Sequence, residues 1–126
     1  MDIILAILLG MGIGVLASLV IYIGKMTVRT FIKRIKEKHG KKITIKRAKK
    51  LLAEILNNKE ENKNQEEAIK ISELEKLFGK EGCVEYTRNE EGKVNPEDIQ
   101  ILQAEEMDSE LKSLFDQHGG ELVLTT

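Results

Sequence analysis

The chain has few of the residues that build large cores, disulfides or active sites. Its 126 residues include no Trp, one Pro, one Cys, two His, two Tyr and three Phe. Because Cys83 is the only cysteine, an intramolecular disulfide is excluded, and the fold does not depend on oxidising conditions. The shortage of large aromatic side chains predicts a small core.

No spacing of residue types in the sequence predicts a catalytic or metal site. Cys83, His39 and His118 stand alone, without the CxxC or HxxxH spacing of zinc ligands. Three acidic pairs lack the alternating carboxylates and central glycine of a calcium-binding loop: Glu90-Glu91, Glu97-Asp98 and Glu105-Glu106. We therefore predict a protein that is not an enzyme and that needs no metal or cofactor.

A long apolar run occupies residues 3–23, which contain no ionisable side chain and no proline. As one helix this run would be about 31 Å long, close to the roughly 30 Å hydrocarbon core of a bilayer. The cations follow the run, whereas a cleaved signal peptide carries them in front. The sequence therefore predicts a single, uncleaved transmembrane helix over residues 1–24.

A basic flank after the apolar run predicts the orientation of this helix. It carries Lys25, Arg29, Lys33, Arg34, Lys36 and Lys38. Such a flank stays in the cytoplasm, so we expect the plasma (inner) membrane, with the N-terminus outside and the bulk of the chain cytoplasmic. Gly10, Gly14 and Ser18 recur every four residues, which predicts a helix-helix packing face or reflects the ordinary frequency of small residues in such helices.

Residues 25–56 form a basic segment, in which the spacing of Val28, Phe31, Ile32 and Ile35 predicts an amphipathic helix. Residues 1–56 carry 12 Lys and Arg against 3 Asp and Glu. We expect the helix to lie on anionic lipid headgroups. The expected headgroup contacts are Lys25, Arg29, Lys33, Arg34 and Lys36. A second helix is predicted to begin near Thr44 as its N-cap.

The rest of the chain divides into a polar linker, residues 57–67, and an acidic module, residues 68–126. Residues 57–126 carry 8 Lys and Arg against 18 Asp and Glu. Residues 72–78 and 109–115 share the pattern Ser-Glu-Leu-x-x-Leu-Phe, and each copy leads through glycines into a strand-like run. This pattern predicts two helix-strand units with paired strands and both helices on one face, or it arose by chance.

A further helix is predicted from Asn95, because an N-cap is followed there by Pro96 and two acidic residues. Apolar positions continue this pattern to Phe115. Their phase slips near Asp108 and Ser109, which indicates a break or a new cap. 

Together these features predict a single-pass transmembrane helix, basic amphipathic juxtamembrane helices and a small α+β, mostly helical cytoplasmic module. The expected function is protein-protein interaction or assembly at the membrane, with an unknown membrane-associated protein or a second copy as partner. The expected contact residues, if exposed, are Leu74, Leu77, Phe78, Leu111, Leu114 and Phe115. The alternatives are a small membrane-active protein of toxin or holin type, and a membrane-tethered nucleic-acid binder using residues 41–50. Nucleic acid is disfavoured because the basic segment has one aromatic residue and no recognisable recognition helix.

Overall fold

A computed structural model describes residues 3–37, 42–58 and 65–125. The first half contains α1 (Ile3–Gly10), α2 (Ile13–Ser18), β1 (Val20–Met26), α3 (Val28–Glu37), β2 (Ile43–Arg47) and α4 (Ala48–Asn58). The second half contains α5 (Gln65–Phe78), β3 (Cys83–Thr87), β4 (Gln100–Met107), α6 (Ser109–Gln117) and β5 (Glu121–Leu124). A single 3₁₀ turn, Pro96–Asp98, precedes β4.

The strands form one five-stranded sheet in the order β1-β4-β3-β2-β5. The edge strand β1 pairs in parallel with β4, and the remaining pairs are antiparallel. Neighbouring residues of a strand point to opposite faces, so Val84 packs on one face and Cys83 on the other. The protein is therefore a mixed α/β domain in three layers, with helices on both faces of the sheet.

The first face is covered by α1, α2, α4 and α5, and the second by α3 and α6. Buried residues of the helices on the first face include Ile4, Leu8, Leu16, Leu51, Leu74 and Phe78. On the second face Phe31, Leu111 and Phe115 pack against strand residues of the sheet. The rings of Phe31 and Phe115 meet edge to face, with centroids 5.8 Å apart.

The apolar run does not form one helix. It divides into α1, which has eight residues, α2, which has six, and most of the strand β1. No described helix is long and apolar enough to cross a membrane. The predicted single-pass span, the plasma-membrane topology inferred from it and the mostly helical fold class are therefore wrong.

The physical reason is that an apolar run is equally suited to lipid and to a protein core. Ile4, Leu5 and Leu8 of α1 are fully buried within the domain. Gly12 separates α1 from α2 with an extended backbone, and the β-branched residues that follow suit a strand. The length and the mean hydropathy of the apolar run do not reflect these local backbone preferences.

The prediction that the second basic helix begins near Thr44 is also wrong, because Thr44 lies in a strand and the helix begins after it. Residues Ile43–Arg47 form β2, and α4 begins at Ala48. Four of the five β2 residues are buried because this strand lies inside the sheet. A strand that is covered on both faces lacks the alternation that distinguishes a strand from a helix.

The predicted helix from Asn95 extends for only one 3₁₀ turn and then gives way to β4. Ile101 and Leu102 are both buried, on opposite faces, so β4 again shows no alternation. The predicted break near Asp108 is confirmed. Asp108 is the N-cap of α6, and its side chain accepts a hydrogen bond of 2.9 Å from the Leu111 N–H.

Both helix-glycine-strand units are present, as α5 to β3 and α6 to β5. Gly79 and Gly119 follow the helices with positive φ angles of 73° and 67°. The predicted arrangement of the units is wrong, because β3 and β5 each pair with β2 rather than with each other. The helices of the two units, α5 and α6, also lie on opposite faces of the sheet rather than on one face.

The first basic helix is confirmed as α3, with Phe31 buried and Val28 and Ile35 packed against the core. Its apolar face therefore covers the sheet. His39 and Lys38 lie outside the described residues, as does residue range 59–64 of the predicted linker.

Candidate functional site

A cluster of exposed apolar side chains marks one part of the molecule. Among the described residues, five large apolar side chains are exposed, and three of them lie in α2 and β1. These are Ile13, Val15 and Tyr22. Together with the outer edge of β1 they are called the α2/β1 surface below. Exposed large apolar side chains that are close in the sequence are a candidate for a binding surface.

Helix α2 contributes to this surface because it packs through one side chain. Its sequence is Ile-Gly-Val-Leu-Ala-Ser, and within it only Leu16 is buried. Val15 is 52% exposed, although its side chain is entirely apolar. Ile13 and Val15 therefore both remain exposed on α2.

Strand β1 contributes a free edge. It lies at the end of the sheet, and β4 is its only partner among the described strands. The Leu19 carbonyl accepts a hydrogen bond of 2.9 Å from the Ile101 N–H. Because N–H and C=O of one residue point to the same side of a strand, alternation directs the backbone groups of Val20 and Tyr22 outward.

The edge is regular only over its first half. The register with β4 shifts between Tyr22 and Gly24, and Gly24 has a φ of 79°. The Tyr22 ring lies over this glycine, 3.7 Å from the position that a Cβ would take, and remains 72% exposed. This irregularity limits the flat, unpaired edge to the residues before Gly24.

Helix α3 packs on the second face of the sheet, and a buried ion pair fixes its rotation. The Arg34 Nε donates to Glu85 Oε2 at 2.6 Å, and Nη2 donates to Glu85 Oε1 at 3.1 Å. Nη2 also donates to the Gln100 side-chain oxygen. The Glu85 side chain is fully buried and that of Arg34 is 12% exposed. Arg34 is therefore held over β3 and β4, in the middle of the sheet.

The opposite side of α3 is exposed. Successive residues of a helix differ by about 100°, so Ile32 and Lys36 lie about 160° from Arg34. Ile32, Arg29, Lys33 and Lys36 are all exposed. They line, with Thr30, a hollow of about 470 Å³ on the outer side of the helix. This exposed side of α3 combines one apolar and three cationic side chains.

A second charged cluster is centred on Glu81, before β3. Its carboxylate contacts Arg47 Nη2 at 2.7 Å, Lys49 Nζ at 3.3 Å and Lys112 Nζ at 3.7 Å. Burial acts to raise the pKa of Glu81, but Lys49, Lys112 and Arg47 outweigh it and hold the pKa below the usual 4.5. The cluster links β2, α4 and α6, and we therefore assign it a role in stabilising the fold.

A groove of about 560 Å³ lies next to Glu81 and contains charges of both signs. Lys25 and Lys112 line it together with Glu105, Glu106, Asp108 and Glu110. Asp108 is already engaged as the cap of α6. In the described part of the chain, no three His, Cys, Asp or Glu side chains are placed to hold a metal ion.

Cys83 is fully buried at the start of β3. Burial raises the pKa of its thiol to about 12, so the nucleophilic thiolate is not formed near neutral pH. Arg47 and Glu81 act on it in opposite directions. The residue behaves as a small apolar side chain of the second face.

The structure separates the residues that were predicted to act together. Gly10 ends α1, whereas Gly14 and Ser18 belong to α2, so the three do not form one helix face. Of the predicted headgroup contacts, Lys25, Arg29, Lys33 and Lys36 are exposed and Arg34 is engaged with Glu85. Leu74, Phe78, Leu111 and Phe115 are fully buried, and Leu77 and Leu114 are half-buried against the two cores.

The residues of the α2/β1 surface were missed because the sequence places them inside a uniformly apolar run. One signal for their location was available. The glycines at positions 10, 12 and 14 indicate a broken helix, and β-branched residues follow them. Comparison with protein-family models, curated proteins and solved structures found no match to this chain.

Proposed function

We propose that this chain is a non-enzymatic interaction subunit that binds a partner protein through the α2/β1 surface. One observation carries the proposal: Ile13 and Val15 are exposed in α2, and Tyr22 is exposed in β1, which has one partner among the described strands. Removing apolar surface from water favours association, and an edge strand presents N–H and C=O groups that a further strand can pair with. The partner is a protein because only a polypeptide satisfies both.

The charged residues of the described fold support a non-enzymatic role. The two charged clusters with short contacts, Arg34 with Glu85 and Glu81 with its cations, join different elements of the domain. Cys83 is buried and protonated at neutral pH. These groups stabilise the fold. The exposed apolar side chains of the α2/β1 surface have no such role, so we assign the binding function to them.

The test compares two valines of nearly equal exposure. Val15 is 52% exposed on α2, and Val123 is 51% exposed on the far edge strand β5. A photo-crosslinking amino acid at position 15 identifies the partner, which is then purified and titrated calorimetrically. We expect Val15→Glu to weaken this complex about ten-fold or more, which corresponds to about 1.4 kcal/mol. Val123→Glu is expected to leave the affinity unchanged.

Both variants are first checked for native circular dichroism and unchanged midpoints of unfolding, because each introduces a charge at an exposed position. Equal affinities of the Val15→Glu, Val123→Glu and unchanged proteins for the purified partner would contradict the proposal. So would a partner that crosslinks at position 123 as efficiently as at position 15.

A further inference from the structure

We infer that the partner bound at the α2/β1 surface is a second copy of this chain, whose β1 pairs antiparallel with β1 across a two-fold axis. This inference rests on the proposed function and names the partner at the same site. It is carried by the edge of β1, whose regular part bears no charge and is complementary to itself. The two-fold axis makes the contact isologous, so each copy contributes the same residues.

The regular part of the β1 edge lacks the features that prevent edge strands from pairing. Edge strands of natural proteins commonly carry charged side chains or proline, or are interrupted by a bulge. Val20, Ile21 and Tyr22 have neither charge nor proline, and the bulge follows them at Gly24. The opposite edge strand, β5, is only four residues long and begins with Glu121. Keeping β1 free for a different protein would require protection against copies of the chain, and this part of β1 has none.

The directions of the backbone groups select one register for the pair. Val20 and Tyr22 direct their N–H and C=O groups away from β4. Both residues are paired only when Val20 of each copy lies opposite Tyr22 of the other. A shift in one direction would place Tyr22 opposite Ser18, which belongs to α2, and a shift in the other would place Val20 opposite the bulge at Gly24. Ile21 therefore lies opposite Ile21 of the second copy, on the two-fold axis.

The cross-strand contacts in this register are apolar on both faces of the sheet. Opposite residues of an antiparallel pair point to the same face. Val20 packs on the first face, so by alternation the 72% exposed Tyr22 ring of the other copy joins it there. Ile21 packs on the second face, where it meets Ile21 of the other copy. An aromatic ring beside a β-branched side chain is a favourable cross-strand pair, so the contact removes exposed apolar surface of Tyr22 from water.

The charges of β1 do not oppose this contact. Residues 3–23 contain no ionisable side chain, and the first one in β1 is Lys25. Lys25 follows the axis residue Ile21 by four positions, so the two copies of Lys25 are about eight residues, or roughly 26 Å, apart along the strands. Exposed charges are largely screened beyond about 8 Å at physiological ionic strength. Repulsion between the lysines of the two β1 strands is therefore small.

Disulfide crosslinking of the full chain tests the dimer and its register together. Ile21→Cys places the two thiols in a non-hydrogen-bonded pair, with Cα atoms about 4.5 Å apart, which suits a disulfide. Tyr22→Cys places the Cα atoms roughly 8 Å apart, beyond the disulfide limit of about 7 Å. We expect mild oxidation to crosslink Ile21→Cys about ten-fold or more faster than Tyr22→Cys. Random collision would give the opposite order, because Tyr22 is the more exposed residue, and Cys83 is fully buried in both variants.

Sedimentation equilibrium over a range of protein concentrations measures the dimer itself. The pairing involves one short stretch of strand, so we expect a dimer that dissociates on dilution. Tyr22→Lys introduces a charge at the paired edge and is expected to weaken the dimer about ten-fold or more. Val123→Lys makes the same change in net charge at an exposed position of β5 and is expected to leave the dimer unchanged.

The outcomes separate the inference from the proposed function. A chain that stays monomeric at every concentration, or a dimer that Val123→Lys weakens as much as Tyr22→Lys, would overturn the inference. So would crosslinking of Tyr22→Cys that is as fast as that of Ile21→Cys. The comparison of Val15→Glu with Val123→Glu decides the proposed function separately, because it uses whichever protein crosslinks at position 15. A different protein captured there by a monomeric chain would keep the proposed function and exclude the second copy as its partner.

Discussion

Replacing Arg34 with Met is expected to lower the free energy of unfolding by about 3 to 5 kcal/mol. Met keeps much of the apolar stem of Arg but removes the guanidinium that donates two hydrogen bonds to Glu85. Because the Glu85 side chain is fully buried, its carboxylate would lose its bidentate partner in a site that water does not reach. Urea denaturation followed by circular dichroism measures the loss.

Arg29 provides the matched control, since it is an arginine on the same helix and is exposed. We expect Arg29→Met to change the free energy of unfolding by no more than about 0.5 kcal/mol. The double substitution Arg34→Met with Glu85→Leu is expected to regain much of the lost stability, because it removes both charges. Equal effects of the two single substitutions would show that Arg34 is not buried against Glu85.

Replacing Leu8 with Ala is expected to lower the free energy of unfolding by about 2 to 5 kcal/mol. Leu8 is fully buried in the core of the first face, so truncation removes buried methyl groups and leaves a cavity. Ile13→Ala, five positions later in the same apolar run, is expected to cost no more than about 0.5 kcal/mol because Ile13 is exposed. Urea denaturation of the purified chain measures both.

This pair of substitutions tests where the apolar run is buried. If residues 3–23 were not packed on the sheet, Leu8→Ala and Ile13→Ala would have similar, small effects on the free energy of unfolding of the chain. A large effect of Leu8→Ala alone would place α1 in the core of the domain. The comparison is independent of any binding partner.

Local signals in the sequence predicted the elements that have one covered face. Helix α3 follows the spacing of Val28, Phe31 and Ile35, and α6 begins at the cap that the phase slip near Asp108 indicated. Both helix-glycine-strand units were also predicted, because a positive φ after a helix favours glycine. These signals depend on residues that are close together in the sequence, so they can be recognised without knowing the rest of the fold.

The errors fall where burial is set by distant parts of the chain. Strands β2 and β4 are covered on both faces, so Ile43–Arg47 and Gln100–Met107 show no alternation and resemble buried helix. The apolar run resembles a membrane span until the sheet supplies a core for α1. Arg34 was grouped with the surface cations because its partners are 51 and 66 positions away in the sequence.

Which side chains of the α2/β1 surface are exposed could not be predicted for the same reason. Within residues 3–23 nothing in the composition distinguishes buried Leu16 from exposed Val15. The distinction arises when α2 packs through one side chain and β1 takes the edge of the sheet. The basic character of α3 was visible in the sequence, but the ion pair that holds it over β3 and β4 was not.

Amide hydrogen exchange of Ile101 and Tyr22, with and without the purified partner, tests the central claim that the α2/β1 surface binds a partner protein. The Ile101 N–H donates to the carbonyl of Leu19, just before β1, and the Tyr22 N–H points outward from the edge. We expect Ile101 to exchange slowly in both states, and Tyr22 to exchange quickly alone and about ten-fold or more slowly with saturating partner. Unchanged exchange of Tyr22 with bound partner, or equally fast exchange of both amides in the free chain, would contradict it.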